Sequence, residues 1–140
     1  MNPFDKPLRT QWVNSGEAWI VFDELAYTTD EGVVVTIPSG YKTDLASVPR
    51  FAWFWLAPQG RHRYAALLHD FLYDQHHLGI TRVRRIPERP DLDLPLTKAW
   101  ADAKFLEALK RSQIGWVTRT VMYWAVRLFG GNAWNKGISA

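Results

Sequence analysis

Residues 63–75 read RYAALLHDFLYDQ, a run that is apolar on nearly every side yet carries His69 and Asp70 in its middle. A helix of that kind has to be enclosed by its neighbours, so the rest of a short chain must be arranged around it. Ala65, Ala66, His69, Leu72 and Tyr73 share one helical face, which puts His69 on a stripe destined for the interior. A second run, residues 97–113, repeats the pattern. Ala99, Phe105, Leu106 and Leu109 form its apolar stripe and Asp102 lies in line with them. Lys98, Lys104, Glu107, Lys110 and Arg111 read as its solvated face.

An unpaired charge on a core stripe costs several kcal/mol, so these groups are expected to compensate one another across an antiparallel helix pair. Asp102 then accepts a hydrogen bond from one ring nitrogen of His69, within about 3.2 Å. The other nitrogen can take a proton, with its basicity raised by the carboxylate. Asp70 sits about 100° around the helix from His69 and faces the preceding loop, GYKTDLASVPR. Asp44, Thr43, Ser47 and backbone carbonyls of that loop are hard oxygen donors suited to calcium or magnesium. Each feature has a plainer reading: the His–Asp pair as a satisfied polar contact in a core, Asp44 as an Asx turn or helix cap. Arg50 can pair with a carboxylate or with an anionic substrate. His62, His76 and His77 lie off the stripe and read as surface residues.

Upstream, residues 17–29 (EAWIVFDELAYTT) and 32–38 (GVVVTIP) are rich in β-branched and aromatic residues, and Asp30, Glu31 and Gly32 between them signal a hairpin turn. Residues 7–13, PLRTQWV, read as a further strand. Pro38, Gly40, Pro49 and Pro58 make the next stretch an irregular connector. Helices are expected from about 63 to 76, from about 97 to 113 with Thr97 as N-cap and Gly115 as the stop, and from 116 to 129, ended by Gly130 and Gly131. Residues 79–95, with three prolines, read as a loop. Strands first and helices after means an α+β fold. The 140 residues amount to one domain: β-rich 1–40, connector 41–62, helical part 63–130 and tail 131–140.

Several classes are excluded or disfavoured. A net charge of +3 without a long basic run gives no ground for a specific nucleic-acid partner. With no cysteine, disulfides and thiolate-bound zinc are ruled out. The start, MNPFDKPLRTQW, lacks an apolar h-region, so no secretory signal is expected. The apolar C-terminal run WVTRTVMYWAVRLFGG is too short and carries two arginines, so it is not expected to span a membrane.

Two resemblances meet at these residues. IPSGYKTDLASVPR, AALLHDFLY, ADAKFLEAL and MYWAVRLFGG, in this order, resemble a family of small uncharacterised proteins of tailed phages and prophages, classed as a domain of unknown function. This implies a phage or prophage origin, with the protein in the host cytoplasm during infection or in the virion. HDFLY followed by ADAKF is similar to the core of the secreted-type calcium-dependent phospholipases that cut the sn-2 ester. That resemblance implies His69 as the general base for water, Asp70 as a calcium ligand, Asp102 as the group orienting His69, and Tyr73 as a hydrogen-bond support for Asp102. The glycine-rich calcium loop of those enzymes has a single counterpart here, Gly40, and their disulfides have none; Asp44 is the candidate replacement ligand. The leading expectation is a metal-assisted hydrolase of phospholipid-like esters, with Arg50, Trp53 and Trp55 at the substrate and Trp116 and Trp124 adding a surface for lipid or membrane. The rival is a non-enzymatic virion component of the tail or baseplate, bound to other phage proteins, with the His–Asp pair as a polar lock. A cell-wall or peptide hydrolase using zinc is a third reading, and it requires His62, His76 or His77 as a second ligand.

Overall fold

A computed structural model describes residues 3–13, 18–43, 62–79, 82–83 and 94–135. The elements in chain order are β1 (Thr10–Val13), β2 (Ala18–Val21), β3 (Leu25–Thr28), β4 (Val34–Ile37), β5 (Lys42–Thr43), α1 (His62–His77), β6 (Arg82–Val83), β7 (Leu94–Pro95), α2 (Lys98–Arg111), α3 (Trp116–Phe129) and α4 (Gly131–Asn135). Short antiparallel strands followed by helices make this an α+β fold. No helix among the described residues is long and apolar enough to cross a membrane.

The strand run expected over 17–29 is in fact two strands in different sheets. β2 lies between β1 and β5, whereas β3, among the described residues, pairs with β4 alone. Residues 22–24 carry no glycine or proline to announce the break. It is held instead by long-range contacts: the Arg9 guanidinium donates to both Asp23 carboxylate oxygens at 2.6 and 2.8 Å, and Asp5 accepts from the Ala26 N–H at 2.7 Å. The hairpin turn lies where the residues required it, with Thr28 opposite Val34. Gly32 adopts φ 86°, which a side chain would strain, and Thr29 Oγ1 accepts from the Val33 N–H at 3.0 Å.

α1 is buried along the continuous run from 65 to 73. Its neighbours explain this: α2, α4 and β5 all touch it, and Tyr41 sets its ring edge-on to Phe71. The core is one cluster, joining Val21, Leu25, Tyr27 and Ile37 of the strands to Leu68, Leu72, Phe105, Leu109 and Met122 of the helices.

α2 begins where Thr97 caps it, its hydroxyl accepting from the Trp100 N–H at 3.1 Å. It ends at Arg111, two residues before the expected end at about 113. Gln113 takes a left-handed φ of 60° and the Ile114 N–H bonds back to Leu109 O at 3.1 Å, which closes the helix early. Gly115 instead caps the start of α3. α3 covers the expected span and ends at Gly130, where a Cβ would lie 2.5 Å from Val126 O and 3.1 Å from the Tyr73 hydroxyl. The expected tail opens with α4, and the expected loop 79–95 contains the β6–β7 pair.

The two faces of α2 also differ from expectation. Its buried line is Ala101, Asp102, Phe105, Ala108 and Leu109, while Ala99 is exposed and Leu106 half-buried. Lys104 and Glu107, expected in solvent, are buried. The β3–β4 hairpin supplies partners for both of these buried charges. Tyr27 donates its hydroxyl to Glu107 at 2.6 Å, and Lys104 donates to Glu31 and Glu107 at 2.7 Å. Arg111 completes the contact with Asp30 and the Thr28 carbonyl. Buried ions persist only when paired in this way.

Candidate functional site

Both stripe interruptions meet. His69 Nε2 donates to Asp102 Oδ1 at 2.6 Å, and the Tyr73 hydroxyl donates to the same oxygen at 2.7 Å. The helices run in opposite senses here: the His69 ring packs on Phe105 at 4.8 Å, and one turn later on α1 Tyr73 reaches back to Asp102. An ionised carboxylate only accepts, so Nε2 carries the hydrogen and the lone pair of the neutral ring lies on Nδ1.

The other carboxylate oxygen has partners of its own. Lys98 Nζ donates to Asp102 Oδ2 at 2.8 Å and Arg127 donates to it at 3.1 Å. Lys98 Nζ also donates to Val126 O at 2.7 Å and Arg127 O at 3.2 Å, carbonyls at the end of α3. Asp102 is therefore the junction of three helices. It carries no exposed surface, nor does His69. Lys98, expected on the solvated face, is half-buried.

Burial holds His69 below the ordinary histidine range, against the opposing pull of Asp102, so the ring stays neutral near neutral pH. Burial alone would raise the Asp102 carboxyl, but hydrogen bonds from His69, Lys98 and Tyr73 prevail and it titrates at about 2. Tyr73 is pushed up by burial and then by Asp102. The unfolded chain takes up a proton on its histidine near pH 6.5, while folded His69 resists it, so this contribution is complete above about 6.5 and is lost as pH falls below. Asp102 adds stability that is complete above its unfolded value, about 3.9, and is lost as pH falls towards about 2. Thermal melts from pH 8 to 4 are expected to show a falling midpoint below pH 6.5 that is shallower in His69→Gln. An identical pH slope in the two proteins would contradict the assignment to His69.

Asp70 points elsewhere, as its position on α1 requires. It accepts from the Thr43 hydroxyl at the end of β5, and from the Tyr41 hydroxyl at 3.1 Å. Tyr41 also donates to Asp74, one turn along α1. Burial, then the Asp70 charge, push the Tyr41 hydroxyl up, which keeps it a donor. Asp70 and Asp74 supply carboxylate oxygens of the type calcium takes, while the Thr43 and Tyr41 hydroxyls already donate to them; calcium needs six to eight donors, so this cluster supplies part of a shell. Among the described residues, no group of three or more histidine, aspartate or glutamate side chains is placed to hold a metal ion. Asp44, Arg50, Trp53 and Trp55 lie outside the described residues.

The other histidines are not surface residues. His62, His76 and His77 are all half-buried. His77 Nε2 lies 2.6 Å from Ala133 O and 3.1 Å from Trp134 O, and the His76 ring stacks on Trp134 at 3.6 Å, so the latter two fasten α4 to α1. The contributors not anticipated were Lys98, Arg127, Tyr41 and Asp74. Lys98 and Asp74 had a local signal, each four residues from a singled-out aspartate on the same helix. Arg127 and Tyr41 had none, since they arrive from other elements.

The family model described as "Protein of unknown function (DUF1353)" matches residues 19–126, from β2 through most of α3, and so covers the His69–Asp102 junction. No curated protein and no solved structure matches the chain.

Proposed function

From the chain's membership of the DUF1353 family of proteins of unknown function, to which it belongs, and from the geometry around His69, we propose a phage- or prophage-encoded hydrolase that attacks phospholipid-like esters with water. The observation that carries this reading is the convergence of His69 Nε2 and the Tyr73 hydroxyl on Asp102 Oδ1. It fixes the ring tautomer, keeps Nδ1 as the basic atom and places a negative charge behind the ring to stabilise the imidazolium. In the reaction, Nδ1 takes a proton from water as the water oxygen bonds to the ester carbonyl carbon. The imidazolium then returns the proton to the departing alkoxide as the carbon–oxygen bond breaks. Asp70 would hold calcium together with donors from the chain that follows Thr43, Asp44 among them. Calcium, when bound there, supplies Lewis acidity that polarises the ester carbonyl. Arg50, Trp53 and Trp55 are assigned to the substrate, and the protein to the infected host's cytoplasm or the virion.

A second reading has its own observation. The pair has no exposed surface, and Lys98 and Arg127 already balance the Asp102 charge. Those features suit a polar lock in a non-enzymatic virion component, of the tail or baseplate, that joins other phage proteins. Fatty-acid release from phospholipid vesicles, measured with calcium and with chelator, separates the two. The hydrolase reading expects release with calcium, loss of at least about tenfold with chelator, and a calcium-dependent rise in melting that Asp70→Asn removes. Calcium at about 100 times its dissociation constant would add roughly 2.7 kcal/mol. Absence of both release and calcium-dependent stabilisation would leave the virion reading.

A further inference from the structure

We infer that Lys98 is a positioning residue for the candidate base: by holding a fixed positive charge against the far oxygen of Asp102, it sets how readily His69 takes a proton. Its bearing on catalysis rests on the hydrolase reading; its geometry does not. The two oxygens of Asp102 have separate partners. Oδ1 accepts from His69 Nε2 and the Tyr73 hydroxyl, whereas Oδ2 accepts from Lys98 Nζ at 2.8 Å and Arg127 at 3.1 Å. An ammonium has three hydrogens, and Lys98 has three acceptors for them: Asp102 Oδ2, Val126 O at 2.7 Å and Arg127 O at 3.2 Å. The charge is therefore pinned, on a side chain only 18% exposed. The Arg127 side chain is 31% exposed and makes the longer contact, so water and salt screen it more.

A cation at the end of α3 has an ordinary use, since it satisfies carbonyls at the negative end of a helix. That use alone does not require the contact with Asp102. A carboxylate beside a neutral imidazole draws a proton onto the ring, and a cation on its other oxygen withdraws part of that pull. Among the described residues, the charged and titratable groups around the ring are Tyr73 on α1, Asp102 and Lys98 on α2, and Arg127 on α3. Burial is the largest influence keeping the ring neutral, Asp102 opposes it, and the Lys98 charge acts with burial. A general base accepts a proton from water only while it is neutral. Lys98 thereby keeps His69 competent at a lower pH than the His69–Asp102 pair alone would allow.

The test follows the His69 ring by NMR in the full chain labelled at histidine, its signal assigned by its loss in His69→Gln, from pH 8 to 4. Removing the cation is expected to raise the titration midpoint by about one pH unit in Lys98→Met. Lys98→Gln, which keeps an N–H donor for Oδ2 without the charge, should raise it likewise and serves if methionine lowers stability too far. Lys98→Arg returns the charge and should titrate like wild type. In ester hydrolysis, the acid limb of the pH profile should move to higher pH by the same amount in Lys98→Met. A wild-type protein that releases no fatty acid would remove the hydrolase reading, while the ring titration would still decide whether Lys98 acts on His69. A lower melting midpoint in Lys98→Met with an unmoved His69 titration would make Lys98 a helix cap only and overturn the inference. So would a shift in Lys98→Arg as large as that in Lys98→Met, or a ring that stays neutral down to pH 4 in both wild type and Lys98→Met.

Discussion

Asp102→Ala is expected to lower the stability of the fold by about 3–5 kcal/mol, the range for removing one partner of a buried ion pair. The size follows from what the carboxylate holds. Its loss strips an acceptor from His69 and Tyr73, both without exposed surface, and leaves the Lys98 and Arg127 cations facing each other at the end of α3. For a chain of 140 residues that loss corresponds to a melting midpoint lower by roughly 10–20 °C. Asp102→Asn should recover only part of it. Its amide oxygen can still accept from His69 and Tyr73, but its amide nitrogen would confront two cationic donors. Melts of the three proteins at pH 7 decide the matter. An unchanged midpoint in Asp102→Ala would mean that Asp102 does not join the helices.

His69→Gln is expected to abolish ester hydrolysis, a fall of about 10²–10⁴-fold, the usual contribution of a positioned general base. Glutamine keeps an N–H donor for Asp102 and a polar side chain of similar reach, but it offers no basic nitrogen. The loss of stability should therefore be smaller than in Asp102→Ala, and the two readouts separate. Catalysis disappears with the base, whereas the fold depends chiefly on the carboxylate. The assay is fatty-acid release from phospholipid vesicles in calcium. Wild-type turnover in His69→Gln would remove His69 from the chemistry and leave the junction as a lock.

The polar cluster around Asp102 also has a structural reason. α1 is buried along nine consecutive residues, 65 to 73, so hydrophobic burial alone specifies poorly how it is rotated against α2. A carboxylate that must meet donors from α1, α2 and α3 at once selects one rotation and one register. The hairpin contact through Glu107, Lys104 and Tyr27 does the same for the strands. The two networks lie along the single helix α2, from Lys98 to Arg111, so that helix sets the position of both the sheet and the candidate base.

By itself the sequence determined what depends on near neighbours and on period. The 3.6-residue spacing of α1 and α2 was enough to place His69, Tyr73 and Asp102 inward, and a buried histidine and a buried aspartate with no other evident partner had to find each other. Gly32 and the β-branched runs on either side of it specified the hairpin, and Thr97 specified the start of α2, because turns and caps are local chemistry. Only the tertiary structure decided the rest. The break between β2 and β3 coincides with contacts from the chain start, Arg9 to Asp23 and Asp5 to the Ala26 N–H. The burial of Lys104 and Glu107 depends on a hairpin more than seventy residues earlier in the chain. Arg127 reaches Asp102 because α3 folds back over α2. Such contacts are set by which surfaces meet, and a charged residue reads the same in a sequence whether its partner is water or an ion folded over it.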